Sequence, residues 1–307
     1  MGRETGIVPA KSRGNTNWLV LGAAGRSFKV AIQEDRRDSN ARGPDIHSWL
    51  IQTRMHNAKL PAGDFERLRH LDTCSVSNAI ERFNVRLRNE GFASGLIQCR
   101  FHKLPPMLGY AVTGRIRTST APMAGRCYFD RMDFWEYVTR IPPPRVLVLE
   151  DVDHTPGIGA LVGEIHATIG QSLDCVGQVT NGAVRDLPEV EELGFNLFSG
   201  TVVPSHSYAH VVDFGEAVTI GGLKVSPGEL VHGDCHGVHT IPLSIAAQIP
   251  AKVAEIMREE RELIDFCHSS GFSLEELGKR MAAMTADCAT DTYRPGLNDD
   301  KPTRKKR

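Results

Sequence analysis

Apolar and polar positions follow a regular pattern only from about residue 64 onward. Around Asp64, and again over residues 76–83, apolar side chains return every three or four positions, which predicts helices that pack on one face. Over residues 109–118 apolar and polar positions alternate, although not strictly, which predicts a strand. Residues 145–150 form a continuous apolar run, which is typical of a buried strand.

The pattern then changes quickly between helix and strand. It predicts helices at 130–140, 160–172, 188–193, 244–267 and 273–284, strands at 175–180 and 195–199, and short strands with tight turns over 211–241. The chain outside this region lacks such order. We therefore expect residues 1–60 to be a disordered or weakly structured extension, 61–285 to be the folded domain, and 286–307 to be a disordered basic tail. The Arg-rich, acid-poor start also fits a targeting segment, a less favoured alternative.

Composition narrows the class of protein. The net charge is −1, so nothing global indicates nucleic acid or an anionic membrane surface as a partner. No apolar run approaches the ~20 residues needed to span a bilayer. The seven cysteines are odd in number and form no CxxC pair, which predicts free thiols and a reducing, cytoplasmic location.

One stretch, residues 157–186, concentrates residues that can do chemistry. Twenty residues separate Glu164 from Arg185, enough for one helix and one strand. The end of the strand can therefore return beside the start of the helix. The amides of Glu164, Ile165 and His166 would lie in the first helical turn, where they lack acceptors and suit a carboxylate.

The charged residues of this stretch predict a metal and substrate site. Arg185 can bind a substrate carboxylate or carbonyl through its fork of donors. Asp186 is expected to point away from Arg185 and to bind a hard cation, with Glu164 acting directly or through water. Mg²⁺ or Mn²⁺ would suit these ligands. The structural alternative is that Arg185 and Asp186 cap the following helix and pair with Glu164.

A dinucleotide site is the first alternative for the same stretch. Gly157, Gly159 and Gly163 follow a strand and precede a helix, but Val162 stands where G-x-G-x-x-G requires its last glycine. The acid expected after the next strand is also missing. These departures argue against a nicotinamide or flavin cofactor.

Glu164, the twenty-residue spacing and Arg185-Asp186 within NGAVRD together resemble the signature of RraA-like proteins, which include 4-hydroxy-4-methyl-2-oxoglutarate and 4-carboxy-4-hydroxy-2-oxoadipate aldolases. The flanking segments at 71–80, 225–231 and 234–242 are similar too. The resemblance implies an α/β fold like the swivelling phosphohistidine domains, in α/β/β/α layers, and a homotrimer or hexamer. It implies a metal-dependent lyase that releases pyruvate and decarboxylates oxaloacetate.

The resemblance also implies roles for single residues. Asp186 would bind Mg²⁺ or Mn²⁺, Arg185 the pyruvyl group, and the amides from Gly163 to His166 its carboxylate, while a metal-linked water would be the base. His166 departs from the apolar residue common at this position. Some relatives are instead non-catalytic regulators that bind RNase E. Those lack the second acid, so Glu164 favours the enzyme.

Two histidine groups are also candidates. His232, Asp234 and His236 are expected to share one strand face, with Cys235 and His239 nearby, but the usual zinc spacings are absent and packing is favoured. His206 and His210 fall in a predicted loop and are expected to be surface residues.

Overall fold

The computed structural model describes residues 59–122 and 131–286 and the backbone of two strands at 17–23 and 26–32. The helices are α1 (Ala62–Leu68), α2 (Thr73–Phe83), α3 (Met132–Val138), α4 (Glu164–Ser172), α5 (Leu187–Glu192), α6 (Leu243–Ala246), α7 (Ile249–Cys267) and α8 (Leu274–Ala286). Among the described helices, none is long and apolar enough to cross a membrane.

Fifteen strands are described in chain order. They are β1 (Asn17–Ala23), β2 (Arg26–Ile32), β3 (Gln98–Cys99), β4 (Met107–Arg117), β5 (Arg145–Asp151), β6 (Ala160–Val162), β7 (Cys175–Thr180), β8 (Ala183–Val184), β9 (Asn196–Ser199), β10 (Thr201–Val202), β11 (His210–Phe214), β12 (Val218–Ile220), β13 (Leu223–Val225), β14 (Leu230–Asp234) and β15 (Gly237–Ile241).

The main sheet has the order β15-β14-β4-β5-β7-β9-β3, and β11 also pairs with β4. Its centre, β4-β5-β7-β9, is parallel, while β14, β15, β11 and β3 are antiparallel to their neighbours. A second sheet, β10-β8-β6, is entirely parallel, and β12 and β13 form a hairpin.

The central strand β5 shows why the sheet is buried on both faces. Leu147 and Leu149 pack in one apolar cluster, which also contains buried apolar residues from each helix between α1 and α7. Val146 and Val148 point to the other cluster, which includes the β12–β13 hairpin. All four side chains are at most 1% exposed, as expected of a parallel strand between two layers. The mixed α/β class predicted from the sequence is confirmed.

Several predicted boundaries change. The helix expected from residue 160 begins only at Glu164, because Ala160–Val162 pair with β8 as a strand. The helix expected over 244–267 is broken into α6 and α7, just before Pro250. Within residues 1–60, β1 and β2 form an antiparallel pair in a separate unit, Met1–Trp49. The predictions for the rest of that segment and for 287–307 lie outside the described residues.

Candidate functional site

The parallel pairing of β6 with β8 builds the candidate site. Val162 lies opposite Val184, and the Arg185 amide donates to the Val162 carbonyl at 3.0 Å. Both strands therefore end side by side, one running into Gly163 and the other into Arg185. Ligands of α/β proteins commonly bind beyond such carboxyl ends. Arg185 therefore returns beside the start of the helix as predicted, but through the additional short strand β8 rather than at the end of the strand at 175–180.

Asp186 spans the two chain ends with its carboxylate. Its Oδ2 accepts a hydrogen bond from the Glu164 amide at 3.1 Å, and its Oδ1 accepts from Arg185 Nε at 2.9 Å. The expectation that Asp186 points away from Arg185 is wrong. The two side chains turn together, because the amide of α4 and the guanidinium attract the same carboxylate.

The backbone of Asp186 is adapted to this contact. Asp186 precedes α5 with φ 54° and ψ 44°, in the left-handed region, and its side chain makes no capping bond to that helix. An aspartate at this position usually accepts from the helix it precedes. A left-handed non-glycine residue costs about 1–3 kcal/mol, and such strain is concentrated at functional positions. In the structural alternative, Arg185 and Asp186 would cap α5 and pair with the Glu164 side chain. The Asp186 carboxylate instead accepts from the Glu164 backbone amide and makes no cap on α5.

Gly163 leaves the room that the carboxylate occupies. A Cβ built on Gly163 would lie 2.2 Å from Asp186 Oδ2 and 3.0 Å from Arg185 Cγ. Its backbone, at φ −137° and ψ −158°, is extended and open to any residue type. Close approach of the two segments, rather than backbone conformation, therefore requires glycine here.

The electrostatics keep Asp186 ionised. Burial acts to raise the pKa of Asp186, but hydrogen bonds from Arg185 and the Glu164 amide, with the charges of Arg185 and His206, lower it below the ordinary value. The side chains of Arg185 and Asp186 are 29% and 30% exposed, so solutes can reach both. The two terminal nitrogens of Arg185 make no hydrogen bond to the described residues, and they remain available as a pair of donors.

The first turn of α4 contributes further donors. Within the described chain, the amides of Ile165 and His166 have no hydrogen-bond acceptor, whereas the Ala167 amide donates to the Gly163 carbonyl at 3.0 Å. Such amides, together with the helix dipole, attract an anion. The Glu164 side chain is exposed, and no ion pair joins it to Arg185 among the described residues.

The side chain of His166 is buried in the protein core. Its ring is 4% exposed, lies 4.8 Å from the Trp135 ring between centroids, and has both nitrogens without a partner. Burial, with a smaller effect of His206, lowers the pKa of His166 to about 4. The imidazole is therefore neutral near pH 7 and packs as an apolar residue would, so only the His166 amide faces the candidate site.

His206 is a residue that sequence reasoning missed. It was expected at the surface, yet it is half-buried, its Nδ1 donates to the Ala160 carbonyl at 2.7 Å, and its charge acts on Asp186. His210 is also half-buried and begins β11 rather than lying in a loop, and its Nδ1 donates to the local Tyr208 carbonyl at 2.7 Å. His206 follows Asp186 by twenty residues in an irregular segment, and no motif in the sequence marks it.

Asn181 and Asp151 form hydrogen bonds that hold together the chain segments next to the candidate site. The Asn181 side chain accepts from the Asp151 amide at 2.7 Å and donates to the Asp151 carbonyl at 2.9 Å, which joins the ends of β7 and β5. The Asp151 carboxylate accepts from the Gly157 amide at 2.8 Å and so anchors the glycine-rich segment before β6. Burial raises the pKa of Asp151 despite these hydrogen bonds.

The predicted shared strand face holds for His232 and Asp234, which alternate on β14, but not for His236. His232 and His239 are buried together, with Nδ1 and Nε2 2.9 Å apart, and His232 Nε2 donates to the Leu71 carbonyl at 3.0 Å. Asp234 ends β14, while His236 lies in the turn that follows and is exposed. The hairpin reverses the chain after Asp234, so the alternation of a strand stops there.

Sequence comparison identifies relatives for this arrangement. Residues 73–239 match the RraA-like family, described as Aldolase/RraA. A protein of Halalkalibacterium halodurans, provisionally named 4-hydroxy-4-methyl-2-oxoglutarate aldolase, is 27% identical over 111 residues, or 34% of this chain and 53% of that protein. An uncharacterized protein of Methanocaldococcus jannaschii is 30% identical over 88 residues, which cover 28% of this chain and 42% of that protein. The chain thus spans about half the length of these curated relatives.

Solved structures agree on the fold. An uncharacterized protein from Pseudomonas syringae pv. tomato has a TM-score of 0.55 and 20% identity, covering 72% of this chain and 95% of its own. Streptomyces coelicolor RraAS2, an unusual member of the RNase ES inhibitor RraA protein family, has a TM-score of 0.51 and 21% identity, covering 66% and 97%. At these identities the likeness concerns the fold alone, and it confirms the fold expected from the sequence.

Proposed function

Because the chain belongs to the RraA-like family, we propose that it is a divalent-metal-dependent aldolase that cleaves a 4-hydroxy-2-oxo acid to release pyruvate. Decarboxylation of oxaloacetate would proceed at the same site, since both reactions leave a pyruvate enolate. The observation that carries the proposal is the Asp186 carboxylate, held between Arg185 and the amide that opens α4. The name given to the Halalkalibacterium halodurans relative supports the substrate class.

The donor set fits a hard divalent cation such as Mg²⁺ or Mn²⁺. The Asp186 carboxylate is ionised and partly exposed, and each oxygen accepts one hydrogen bond while keeping a second lone pair. Mg²⁺ is usually held by one or two carboxylates, waters and substrate oxygens. Asp186 would hold the ion, with Glu164 acting directly or through water. Bound there, the ion would supply Lewis acidity toward the 2-oxo group.

Arg185 would bind the pyruvyl unit. Its Nε is fixed by Asp186, which leaves the two terminal nitrogens to donate to the 2-oxo oxygen or the neighbouring carboxylate. Negative charge grows on the 2-oxo oxygen as the carbon–carbon bond breaks. A donor already fixed in place stabilises that charge more than it stabilises the substrate, which lowers the barrier.

The start of α4 would hold the substrate carboxylate. The amides of Ile165 and His166 lie at the same end of the helix, and the absence of a side chain at Gly163 lets the Asp186 carboxylate lie beside them. The carboxylate would then be fixed at the helix N-terminus while Arg185 reaches the adjacent oxo group. This arrangement orients the bond to be cleaved relative to both sets of donors.

We also propose a homotrimer or hexamer, with the site near a contact between subunits. Ile165, next to Glu164, and Val202 and Tyr208 are between 42% and 59% exposed, and these side chains are available to a contact between subunits. Light scattering on the purified full chain measures the molar mass. A monomer would overturn this assembly.

The test of the activity follows pyruvate release by the full-length protein. The substrates are 4-hydroxy-4-methyl-2-oxoglutarate, 4-carboxy-4-hydroxy-2-oxoadipate and oxaloacetate, each with Mg²⁺ and with EDTA. Asp186→Ala should abolish nearly all activity, while Asp265→Ala, an exposed aspartate on α7, should leave it unchanged. Full activity of Asp186→Ala, or no pyruvate from any substrate, would refute the proposal. The second result would favour the alternative, a regulator that binds an RNase E-like partner.

A further inference from the structure

The turn between β14 and β15 brings three different metal-binding side chains together. One donor atom each from Asp234, Cys235 and His236 lies within 4.8 Å of the others, and no other such group of three occurs among the described residues. His236 Nδ1 is 3.1 Å from Asp234 Oδ1 and 3.4 Å from Cys235 Sγ. Three consecutive residues therefore place a carboxylate, a thiol and an imidazole close to one another.

The carboxylate of this group is fixed in place. Asp234 Oδ2 accepts from the Thr73 amide at 2.8 Å, and Oδ1 accepts from Thr73 Oγ1 at 2.5 Å and from the His236 amide at 2.8 Å. Carboxylates that bind metals are themselves usually held by hydrogen bonds in this way. These contacts also tie the turn to the start of α2.

The other two side chains are open to solvent. Cys235 is exposed, and the His236 side chain is 57% exposed, whereas that of Asp234 is only 8% exposed. A fixed carboxylate at the base and two accessible donors above it allow an ion to enter. A fourth position remains for water, as in zinc sites with three protein ligands.

From this geometry we propose that Asp234, Cys235 and His236 form a binding site for a thiophilic divalent ion of the zinc class. With bonds of about 2.3 Å to sulfur and about 2.0–2.1 Å to nitrogen and oxygen, two ligands at a tetrahedral angle lie roughly 3.3–3.6 Å apart. The 3.4 Å between His236 Nδ1 and Cys235 Sγ lies in this range, and Asp234 would bind through Oδ2, which accepts one hydrogen bond and keeps a second lone pair. Small side-chain rotations would complete the geometry.

The donor types select the ion. A thiolate and an imidazole favour Zn²⁺ over Mg²⁺, which prefers oxygen ligands. On binding, the Cys235 thiol loses its proton to solvent and the sulfur becomes the ligand, so binding strengthens as pH rises. The proposal is independent of the proposed catalytic role of Asp186, which follows β8 rather than β14.

The experiment uses Co²⁺ as a spectroscopic probe for Zn²⁺ in the full-length protein after chelator treatment. Ligation by sulfur gives a thiolate-to-cobalt charge-transfer band in the near ultraviolet, which oxygen ligands at the Asp186 site do not produce. We expect one equivalent of Co²⁺ to produce this band and Zn²⁺ to displace it. Cys235→Ser should abolish it, and His236→Ala should weaken Co²⁺ binding by about 10–100-fold.

Cys267 provides the matched control, because it is also an exposed cysteine followed by a histidine, His268, but has no carboxylate grouped with it among the described residues. Cys267→Ser and Asp186→Ala should both retain the band. Absence of the band in the wild-type protein, or its persistence in Cys235→Ser, would overturn the proposal. Circular dichroism of each variant establishes that the fold is intact.

Discussion

Replacing Gly163 by alanine tests whether close approach of two chain segments builds the site. A Cβ at this position would lie 2.2 Å from Asp186 Oδ2, whereas real Cβ atoms essentially never come within 3.0 Å of a heavy atom outside their own residue and its chain neighbours. The carboxylate or the start of α4 must therefore move by roughly 0.8 Å, the difference between the two distances. The backbone itself tolerates alanine, because its φ is negative.

The displacement should affect catalysis more than folding. It would lengthen the 3.1 Å hydrogen bond from the Glu164 amide to Asp186, and a bond to a charged group contributes about 1.5–3 kcal/mol. Misplacing a catalytic group by ~1 Å commonly costs about 100-fold in rate. We expect kcat/KM for pyruvate release to fall by about 100-fold, equivalent to about 2.7 kcal/mol.

Gly170→Ala, in the same helix, is the control. A Cβ there would meet Cys175 Cβ at 3.5 Å, an ordinary contact, so activity should be unchanged and the helix should be stabilised by about 0.5–1 kcal/mol. The assay couples pyruvate release to lactate dehydrogenase at several Mg²⁺ concentrations, with thermal unfolding measured in parallel. If Gly163→Ala keeps wild-type kcat/KM, the argument from close approach is wrong.

Three further predictions concern single side chains. Arg185→Lys should lower turnover even at saturating Mg²⁺, because an ammonium cannot reproduce the planar fork, whereas Glu164→Gln should mainly raise the Mg²⁺ concentration required; a metal titration showing the reverse order would contradict these roles. The pKa of His166 is about 4 in the folded protein and about 6.5 when unfolded, so the unfolded chain binds the extra proton between these values. Stability should therefore fall by up to about 3 kcal/mol as pH drops from about 6.5 to about 4, and urea unfolding should show a flatter pH dependence in His166→Leu. Asn181→Ala should destabilise the fold by about 1–3 kcal/mol, because it leaves the Asp151 amide and carbonyl without partners; an unchanged urea midpoint would refute this.

Local patterns predicted the main elements because they depend on neighbours in sequence. The strand at 175–180 has the expected bounds, and the helix predicted over 76–83 is present as part of α2, where the Asp72 carboxylate accepts from the Ser75 amide at 2.8 Å. The five described cysteines are free thiols, as their number and spacing predicted. Short strands such as β6 and β8 were missed, because two or three residues carry no periodicity and exist only through pairing.

The sequence alone determined which residues would meet at the site. The twenty residues between Glu164 and Arg185 are enough for a helix and a returning strand, which allows the two residues to meet; in the structure the return uses β7 and then the short strand β8. It could not determine how the side chains are aimed. The parallel register of β6 and β8, the left-handed backbone of Asp186 and the missing Cβ of Gly163 turn the carboxylate toward Arg185 and α4.

Residues distant in sequence were placed only by the tertiary structure. His206 lies against β6 because its segment returns there, and the turn at Cys235 separates His236 from the buried His232, which strand alternation would have placed on the same face. Burial likewise makes His166 a neutral core residue rather than a surface group. The protonation state, exposure and orientation of a side chain depend on what packs around it. Segments far away along the chain supply that environment.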